Sequence, residues 1–200
     1  ETATYVNAAW GDCNNNGTLD LFYSDKNNHG SATKIQSNFY QNNGDGTLRK
    51  LTSPFAGVAF SCPVWFDMNN DGLLDLFLPG LGDWYYQWND LSTRLSNIQA
   101  RLYINQGVQE NGTCKFKEMP VAESGLMPVF NGKTGGKGHN WAVAGDYDND
   151  GYTDLLVTGF DEHTRASRKD YEEAVRVVYL FKNIKGEYFE LQRTPLEGTK

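Results

Sequence analysis

Short apolar segments recur in pairs along this chain, and each pair encloses a polar loop. The segments at 5–10, 62–66 and 141–145 precede the loops, and those at 21–23, 76–78 and 155–157 follow them. Segments this short, and this rich in aromatic and branched side chains, are typical of buried strands. The pattern therefore predicts three β-hairpins, each with a polar loop at its tip.

A second hairpin follows in each unit. In the first unit the turn Asn43-Gly44-Asp45-Gly46 follows an aromatic pair at 39–40, and Asn-Gly and Asp-Gly are strong signals of a tight hairpin. Corresponding strand pairs lie at 102–105 and 113–117, then at 178–183 and 186–189. Each unit is thus predicted to be a four-stranded antiparallel blade of a β-propeller. We expect an all-β fold of about three blades, at 1–56, 57–120 and 121–200, in one continuous propeller-type domain.

The polar loops share the pattern D-x-[DN]-x-[DN]-G-x-x-D-L. They are named the first loop (12–20), the second loop (67–75) and the third loop (146–154). Side-chain oxygens at positions 1, 3, 5 and 9, a carbonyl at position 7 and a turn-forming glycine at position 6 suit a hard cation such as calcium. The predicted ligands are Asp12, Asn14, Asn16, Thr18, Asp20, Asp67, Asn69, Asp71, Leu73, Asp75, Asp146, Asp148, Asp150, Tyr152 and Asp154. We expect about three calcium ions with a structural role, because each would join oxygens that otherwise repel one another.

An EF-hand is the first alternative for such loops, and the flanks argue against it. An EF-hand needs flanking helices and a bidentate glutamate at position 12. Position 12 is Tyr23, Leu78 or Val157, each an apolar residue of a predicted strand. The second alternative, that the loops are plain polar turns, has most weight for the first loop, where Asn14 and Asn16 replace carboxylates.

The acidity of the chain changes this picture little. The formal net charge is −7 over 200 residues, and the loops alone hold two, three and four carboxylates at ligand positions. Bound divalent cations would offset most of that charge.

The absence of a basic stripe argues against nucleic-acid binding, and no apolar run is long enough to span a membrane. Calcium sites of this kind suit the calcium-rich exterior of the cell, so we expect a secreted or cell-surface protein.

Two of these features together carry a family resemblance. The repeated acidic loop, combined with Asn-Asn-Gly-Asp-Gly-Thr at 42–47 after an aromatic pair, resembles the integrin-type FG-GAP/VCBS calcium-binding repeat. The resemblance implies a β-propeller with calcium in the first hairpin of each blade and a ligand face opposite the calcium face. The chain departs from the family in its weak Phe-Gly and Gly-Ala-Pro signature. It also has only three blades, whereas closed propellers have roughly 4–8.

The extra length of each unit separates its second and third strands, at 25–36, 79–100 and 160–174. Helical stretches are predicted at 91–100 and 166–173. Four aromatic residues close together in the longest insertion, Trp84, Tyr85, Tyr86 and Trp88, form a candidate platform for a sugar or a protein partner. The alternative is that these side chains fold back against the blades.

The cysteines and tryptophans are interpreted more simply. Cys13, Cys62 and Cys114 are too few for a disulfide framework, so buried thiols are expected, with Cys62–Cys114 as the preferred pair if one forms.

Trp10, Trp65 and Trp141 precede the loops and are expected in the core between blades. The spacing of the histidines matches no zinc-protease motif, and no nucleophile elbow is present, so we expect no enzyme activity.

The sequence thus favours an extracellular calcium-binding propeller module for recognition or adhesion, with a glycan or a protein as its ligand. Two alternatives stay open. One is the propeller portion of a polysaccharide-degrading enzyme. The other is a structural unit that assembles with itself, because three blades leave exposed sheet edges unless a longer chain or other copies complete the ring.

Overall fold

The computed structural model describes residues 3–29, 32–59, 61–82, 98–127, 141–160 and 176–192. The strands are β1 (Ala3–Gly11), β2 (Asp20–His29), β3 (Ala32–Asn42), β4 (Leu48–Leu51), β5 (Val64–Phe66), β6 (Asp75–Leu81), β7 (Ile98–Val108), β8 (Cys114–Met119), β9 (Trp141–Gly145), β10 (Asp154–Phe160), β11 (Arg176–Ile184) and β12 (Tyr188–Gln192). One short helix, α1 (Val121–Ser124), lies between β8 and β9.

The strands form three antiparallel sheets of four, each in chain order. Sheet I contains β1–β4, sheet II contains β5–β8 and sheet III contains β9–β12. The predicted all-β fold with propeller-like blades is confirmed, and within the described residues the three sheets do not close into a ring. The polar loops and the tight turns lie at the same end of each sheet. In sheet I, for example, the Asn42 side chain donates a hydrogen bond to the Leu19 carbonyl at 3.1 Å.

The apolar core lies between the sheets. One cluster joins sheets I and II around Phe22, Phe39, Phe55, Leu76 and Tyr103. A second joins sheets II and III around Phe66, Phe77, Leu102, Leu155 and Phe181. Successive side chains of a strand point to opposite faces, so Leu76 packs toward sheet I while its neighbour Phe77 packs toward sheet III. Sheet II is therefore covered by described residues on both faces, as a propeller blade is.

Three expectations about the connections were wrong. Residues 25–36 are not an insertion loop, because the pairing of β2 with β3 continues through Asp25↔Gln36 to His29↔Ala32. In the second unit, residues 79–81 and 98–100 also belong to strands, so the helix predicted at 91–100 does not include its last three residues. The rest of that stretch, and the helix predicted at 166–173, lie outside the described residues.

The cysteine pairing also differs from the prediction. Cys13 and Cys114 form a disulfide with a Cα–Cα distance of 6.3 Å, and Cys62 is a free, half-buried thiol. Cys13 follows Asp12, the first residue of the first loop, and Cys114 begins β8 in the neighbouring sheet. The bond therefore connects sheets I and II covalently at the loop end. Spacing along the chain could not reveal this pair, because the contact depends on how two sheets stack.

Candidate metal centres

The three loops turn in the same way. The asparagine at position 4 has a left-handed backbone in each loop, with φ of 53° at Asn15, 58° at Asn70 and 59° at Asn149. The glycine at position 6 has φ between 82° and 89°. Asparagine and glycine are the residues that adopt these conformations at least cost. The shared pattern thus specifies a single loop geometry, repeated once in each sheet.

The aspartate at position 1 folds back over its own loop. Both carboxylate oxygens of Asp12 accept backbone N–H groups, from Asn16 at 3.0 Å and Gly17 at 2.8 Å. Asp67 and Asp146 accept the corresponding pairs of N–H groups in their own loops. The backbone N–H of position 7 donates to the side chain at position 5, as from Leu73 to Asp71 at 2.9 Å. These bonds hold the side chains at positions 1 and 5 on the inner side of the turn.

The aspartate at position 9 is buried in every sheet. Asp75 accepts the Met68 N–H at 2.9 Å with one oxygen and the Asn105 N–H at 2.8 Å with the other. Asp20 and Asp154 accept the equivalent pairs from their own loops and third strands. Burial raises the pKa of Asp75 to about 7, although the two N–H donors oppose the shift. The pKa values of Asp20 and Asp154 are raised for the same main reason.

The third loop brings its carboxylates closest together. Oxygens of Asp146, Asp148 and Asp154 all lie within 4.8 Å of one another. Asp67, Asp71 and Asp75, which the structure also describes, do not converge to that extent. Three hard anionic oxygens around one point are the donor set that calcium prefers. The residues present in the third loop therefore fit a divalent cation.

A lysine that the loop pattern does not include lies against the third loop. Lys182, on β11, contacts the carboxylates of Asp148 and of Asp150, the latter at 3.0 Å. These contacts raise the pKa of Lys182, and the lysine lowers the pKa of Asp150. Gln41 and Ile104 occupy the equivalent positions of sheets I and II. Among the described residues, the third loop is therefore the only one with a cationic side chain at this position of its own sheet.

The first loop is less suited to a cation. Its position 3 residue, Asn14, donates its amide to the Gly112 carbonyl at 3.3 Å, and its position 5 oxygen, on Asn16, accepts both the N–H and the hydroxyl of Thr18. The nearby group of Cys13, Asp20 and Cys114 offers no thiolate ligand, because both sulfurs are in the disulfide. The first loop therefore offers fewer free side-chain oxygens than the third loop does.

Sequence reasoning missed the asparagines that begin the second hairpin of each sheet. The Asn105 side chain donates to the Leu74 carbonyl of its own loop at 3.1 Å and to the Cys13 carbonyl of the first loop at 2.8 Å. Asn183 does the same between the third and second loops. The signal was an asparagine two residues after an aromatic residue of each third strand, at 42, 105 and 183.

A polar cleft lies at the other end of sheet I. Its volume is about 660 Å³, and it is lined by residues 35–38 of β3, 50–53 and the connecting residues Phe55 and Gly57. The buried side-chain amide nitrogen of Asn38, one of the lining residues, has no hydrogen-bond partner among the described residues. The aromatic residues Trp84, Tyr85, Tyr86 and Trp88 lie outside the described residues, so their platform stays a prediction.

Comparison with known families agrees with the fold. Residues 12–78 match the family described as an FG-GAP-like repeat, and this segment runs from the first loop through the second loop into β6. The predicted resemblance is therefore confirmed. No curated protein matches the chain. No helix among the described residues has both the length and the apolar character needed to cross a membrane.

Proposed function

The chain carries an FG-GAP-type repeat on propeller-like blades, and from this premise we propose that it is an extracellular recognition module stabilised by calcium. The loops would hold calcium at one end of the blades, and a glycan or a protein would bind at the other end. The observation that carries the calcium part is the convergence of Asp146, Asp148 and Asp154 in the third loop.

Calcium would have a structural role in this arrangement. The buried position 9 aspartate links its loop to the third strand of the same sheet, and the neighbouring sheet donates hydrogen bonds into the loop. A cation that fixed the loop would therefore also fix the strand register and the contact between sheets. When bound, calcium would supply charge neutralisation for the clustered carboxylates. The disulfide supports an extracellular location, since such bonds persist in oxidising compartments.

The polar cleft of sheet I supports recognition at the opposite end. Residues 35–38 of β3 lie beyond the last residue of β4, on the side away from the first loop. Gln36 and Asn38, two of the lining residues, carry amide donors and acceptors suited to hydroxyl groups, whereas the Ser37 hydroxyl already donates to the Ala56 carbonyl at 2.6 Å. A buried amide without a partner is costly unless a ligand or water satisfies it. These features favour a glycan over a protein as the ligand of this cleft.

The calcium part is tested by titration calorimetry of the wild type and of Asp148→Asn. The substitution keeps the side-chain shape but removes one converging charge, so we expect the tightest site to weaken by roughly tenfold or more, as loss of a calcium-ligand charge does. Asp45→Asn, at an exposed aspartate of the hairpin at the same end, is the matched control and should bind as the wild type does. Equal binding by wild type and Asp148→Asn would refute the assignment.

The recognition part is tested on a glycan array. We expect Asn38→Leu, which keeps the branched side-chain shape but removes the amide, to lose binding, while Lys117→Gln on the outer strand of sheet II retains it. Trp84→Ala and Trp88→Ala test the predicted aromatic platform in the same assay. Undiminished binding by Asn38→Leu would exclude the cleft as the glycan site.

A further inference from the structure

The three sheets can be compared position by position because their registers agree. Gly11, Phe66 and Gly145 each pair with the last aspartate of the adjacent loop, and Asn42, Asn105 and Asn183 each donate a backbone N–H to that aspartate. Any contact between sheets I and II therefore has an expected counterpart between sheets II and III. The sheets form an array with sheet II in the middle. On the outer faces of sheets I and III, each contact between sheets lacks the residue that would complete it.

The first contact links successive loops through the asparagine at position 4. The Asn15 side chain donates to the Gly72 carbonyl of the second loop at 2.8 Å, and Asn70 donates to the Gly151 carbonyl of the third loop at 2.8 Å. Asn149, in the same position of the third loop, has no partner among the described residues. By the repeat, its complement is the Gly17 carbonyl of the first loop.

The second contact covers the residue at position 2. Asn105 reaches back to the Cys13 carbonyl and Asn183 to the Met68 carbonyl, and the side chains of Cys13 and Met68 are 2% and 1% exposed. Tyr147 occupies this position in the third loop and is 49% exposed. Asn42 is the counterpart of Asn105 and Asn183. Among the described residues, its side-chain amide donates a hydrogen bond only to its own loop.

The third contact places a tryptophan over the neighbouring inner strand. Trp65 covers Gly11 so closely that a Cβ there would lie 2.7 Å from the ring, and its indole N–H donates to the Ala9 carbonyl at 3.4 Å. Trp10 is the counterpart of Trp65 and is 54% exposed. The counterpart of Gly11 is Gly145, whose Cβ position faces open space. The exposed Trp10 side chain and the uncovered Gly145 that matches it therefore lie on opposite ends of the array.

We propose that the outer faces of sheets I and III are two halves of one interface, and that a second copy of this chain joins them. In that complex the partner's Trp10 covers Gly145, the partner's Asn42 reaches the Tyr147 carbonyl, and Asn149 reaches the partner's Gly17. The second copy is the occupant because the chain carries both halves of an interface whose two asparagine contacts it forms twice internally and whose tryptophan contact it forms once. Such a head-to-tail contact closes into a ring or extends as a stack, according to its rotation.

Sedimentation velocity over a range of concentrations, in excess calcium, tests the proposal. We expect the wild type to associate, and Trp10→Glu and Tyr147→Glu each to remain monomeric because each places a charge in one half of the interface. A mixture of the two variants retains one intact half on each molecule and should form a one-to-one complex. That complex also shows that both variants are folded.

Val108→Glu is the matched control, because Val108 is an exposed apolar residue in the hairpin of sheet II, outside both faces. It should associate as the wild type does. A wild type that stays monomeric at every concentration would overturn the proposal, and so would association that both face variants retain, or two folded variants that fail to complement each other.

A photo-crosslink locates the contact independently. With benzoylphenylalanine in place of Tyr147, irradiation should join the side chain to a peptide of a second molecule that contains Asn42. Molecules of two isotopic compositions, mixed before irradiation, distinguish this product from a crosslink within one chain. A crosslink to any other peptide of the second molecule would refute the proposed pairing. The interface makes no use of the loop carboxylates, so failure of the calcium proposal would leave this result unchanged.

Discussion

The buried aspartate at the end of each loop is a candidate ligand. It also connects its loop to the third strand of the sheet by hydrogen bonds. In Asp75→Ala, the N–H groups of Met68 and Asn105 lose their acceptors inside the protein. We expect the free energy of unfolding to fall by about 2–4 kcal/mol even in excess chelator, since each buried donor left unpaired costs roughly 1–3 kcal/mol. Urea unfolding with and without calcium measures the change.

Asp71→Ala is the control for this experiment, because Asp71 is exposed and its backbone bonds lie within the turn. In chelator it should lower the free energy of unfolding by less than about 1 kcal/mol, as exposed substitutions usually do. The two variants should differ much less in their effect on calcium binding. Equal losses of stability in chelator would show that Asp75 acts only as a ligand.

Lys182 is expected to compete with calcium for the third loop. Its ammonium group lies against Asp148 and Asp150, so a divalent ion must displace it. Lys182→Gln should therefore bind calcium roughly three- to fivefold more tightly at this loop, the modest effect expected when one exposed competing cation is removed. Terbium luminescence, excited through Tyr152 within the loop, measures binding there.

Lys117→Gln removes the same charge from the outer strand of sheet II and should leave terbium binding unchanged. This control separates the local contact from the general effect of a more negative protein. Unchanged or weaker binding by Lys182→Gln would show that the ammonium group leaves the loop at no cost.

At this scale the sequence predicted the loop geometry well, because Asp, Asn and Gly at fixed spacing determine a local turn. It could not predict Lys182, whose contact with the third loop depends on the pairing of β11 with β10. It also could not indicate that both oxygens of the position 9 aspartate are already used by N–H donors. One of those donors comes from a strand about thirty residues further along the chain.

Among the elements, the hairpin of β2 and β3 shows where hydrophobic pattern fails. Residues 25–36 are mostly polar, so the pattern indicated a loop. Backbone hydrogen bonds nevertheless continue the ladder to His29↔Ala32, since pairing uses the main chain and needs no apolar face. The second strands were predicted well near their loops, because Phe22, Leu76 and Leu155 are buried between sheets.

The disulfide is expected to stabilise the contact between sheets I and II specifically. Replacing Cys13 and Cys114 together by alanine should lower the free energy of unfolding by about 2–4 kcal/mol, because the bond closes a long loop in the unfolded chain. Hydrogen exchange should increase most in β1, β2 and β8. Cys62→Ala, at the free thiol, is the control and should change neither quantity strongly. Uniform exchange across all three sheets would contradict this assignment.

At the scale of the whole molecule, two inter-sheet cores and two uncovered faces define the array. The sequence predicted three blades, and counting loops was enough for that. It placed Trp10 and Trp141 in a core, yet both are largely exposed, at 54% and 63%. The hydrophobic pattern predicts which side chains lie on each face of a strand, but it does not show whether a neighbouring sheet covers that face. Trp65 is covered because it belongs to the middle sheet, and the same position in sheet I is not.

The Cys13–Cys114 bond also has a mechanical consequence. Tension applied between the two ends of the chain passes through the bond, so the stretch between the cysteines cannot be drawn out. The cysteines are 101 residues apart, and reduction should therefore release roughly 340 Å of additional contour length, at about 3.3–3.6 Å per residue. Single-molecule pulling with and without a reductant measures this difference. Under load, the strands between the two cysteines would stay together, and sheet III, together with β1 and most of β8, would be the part that extends.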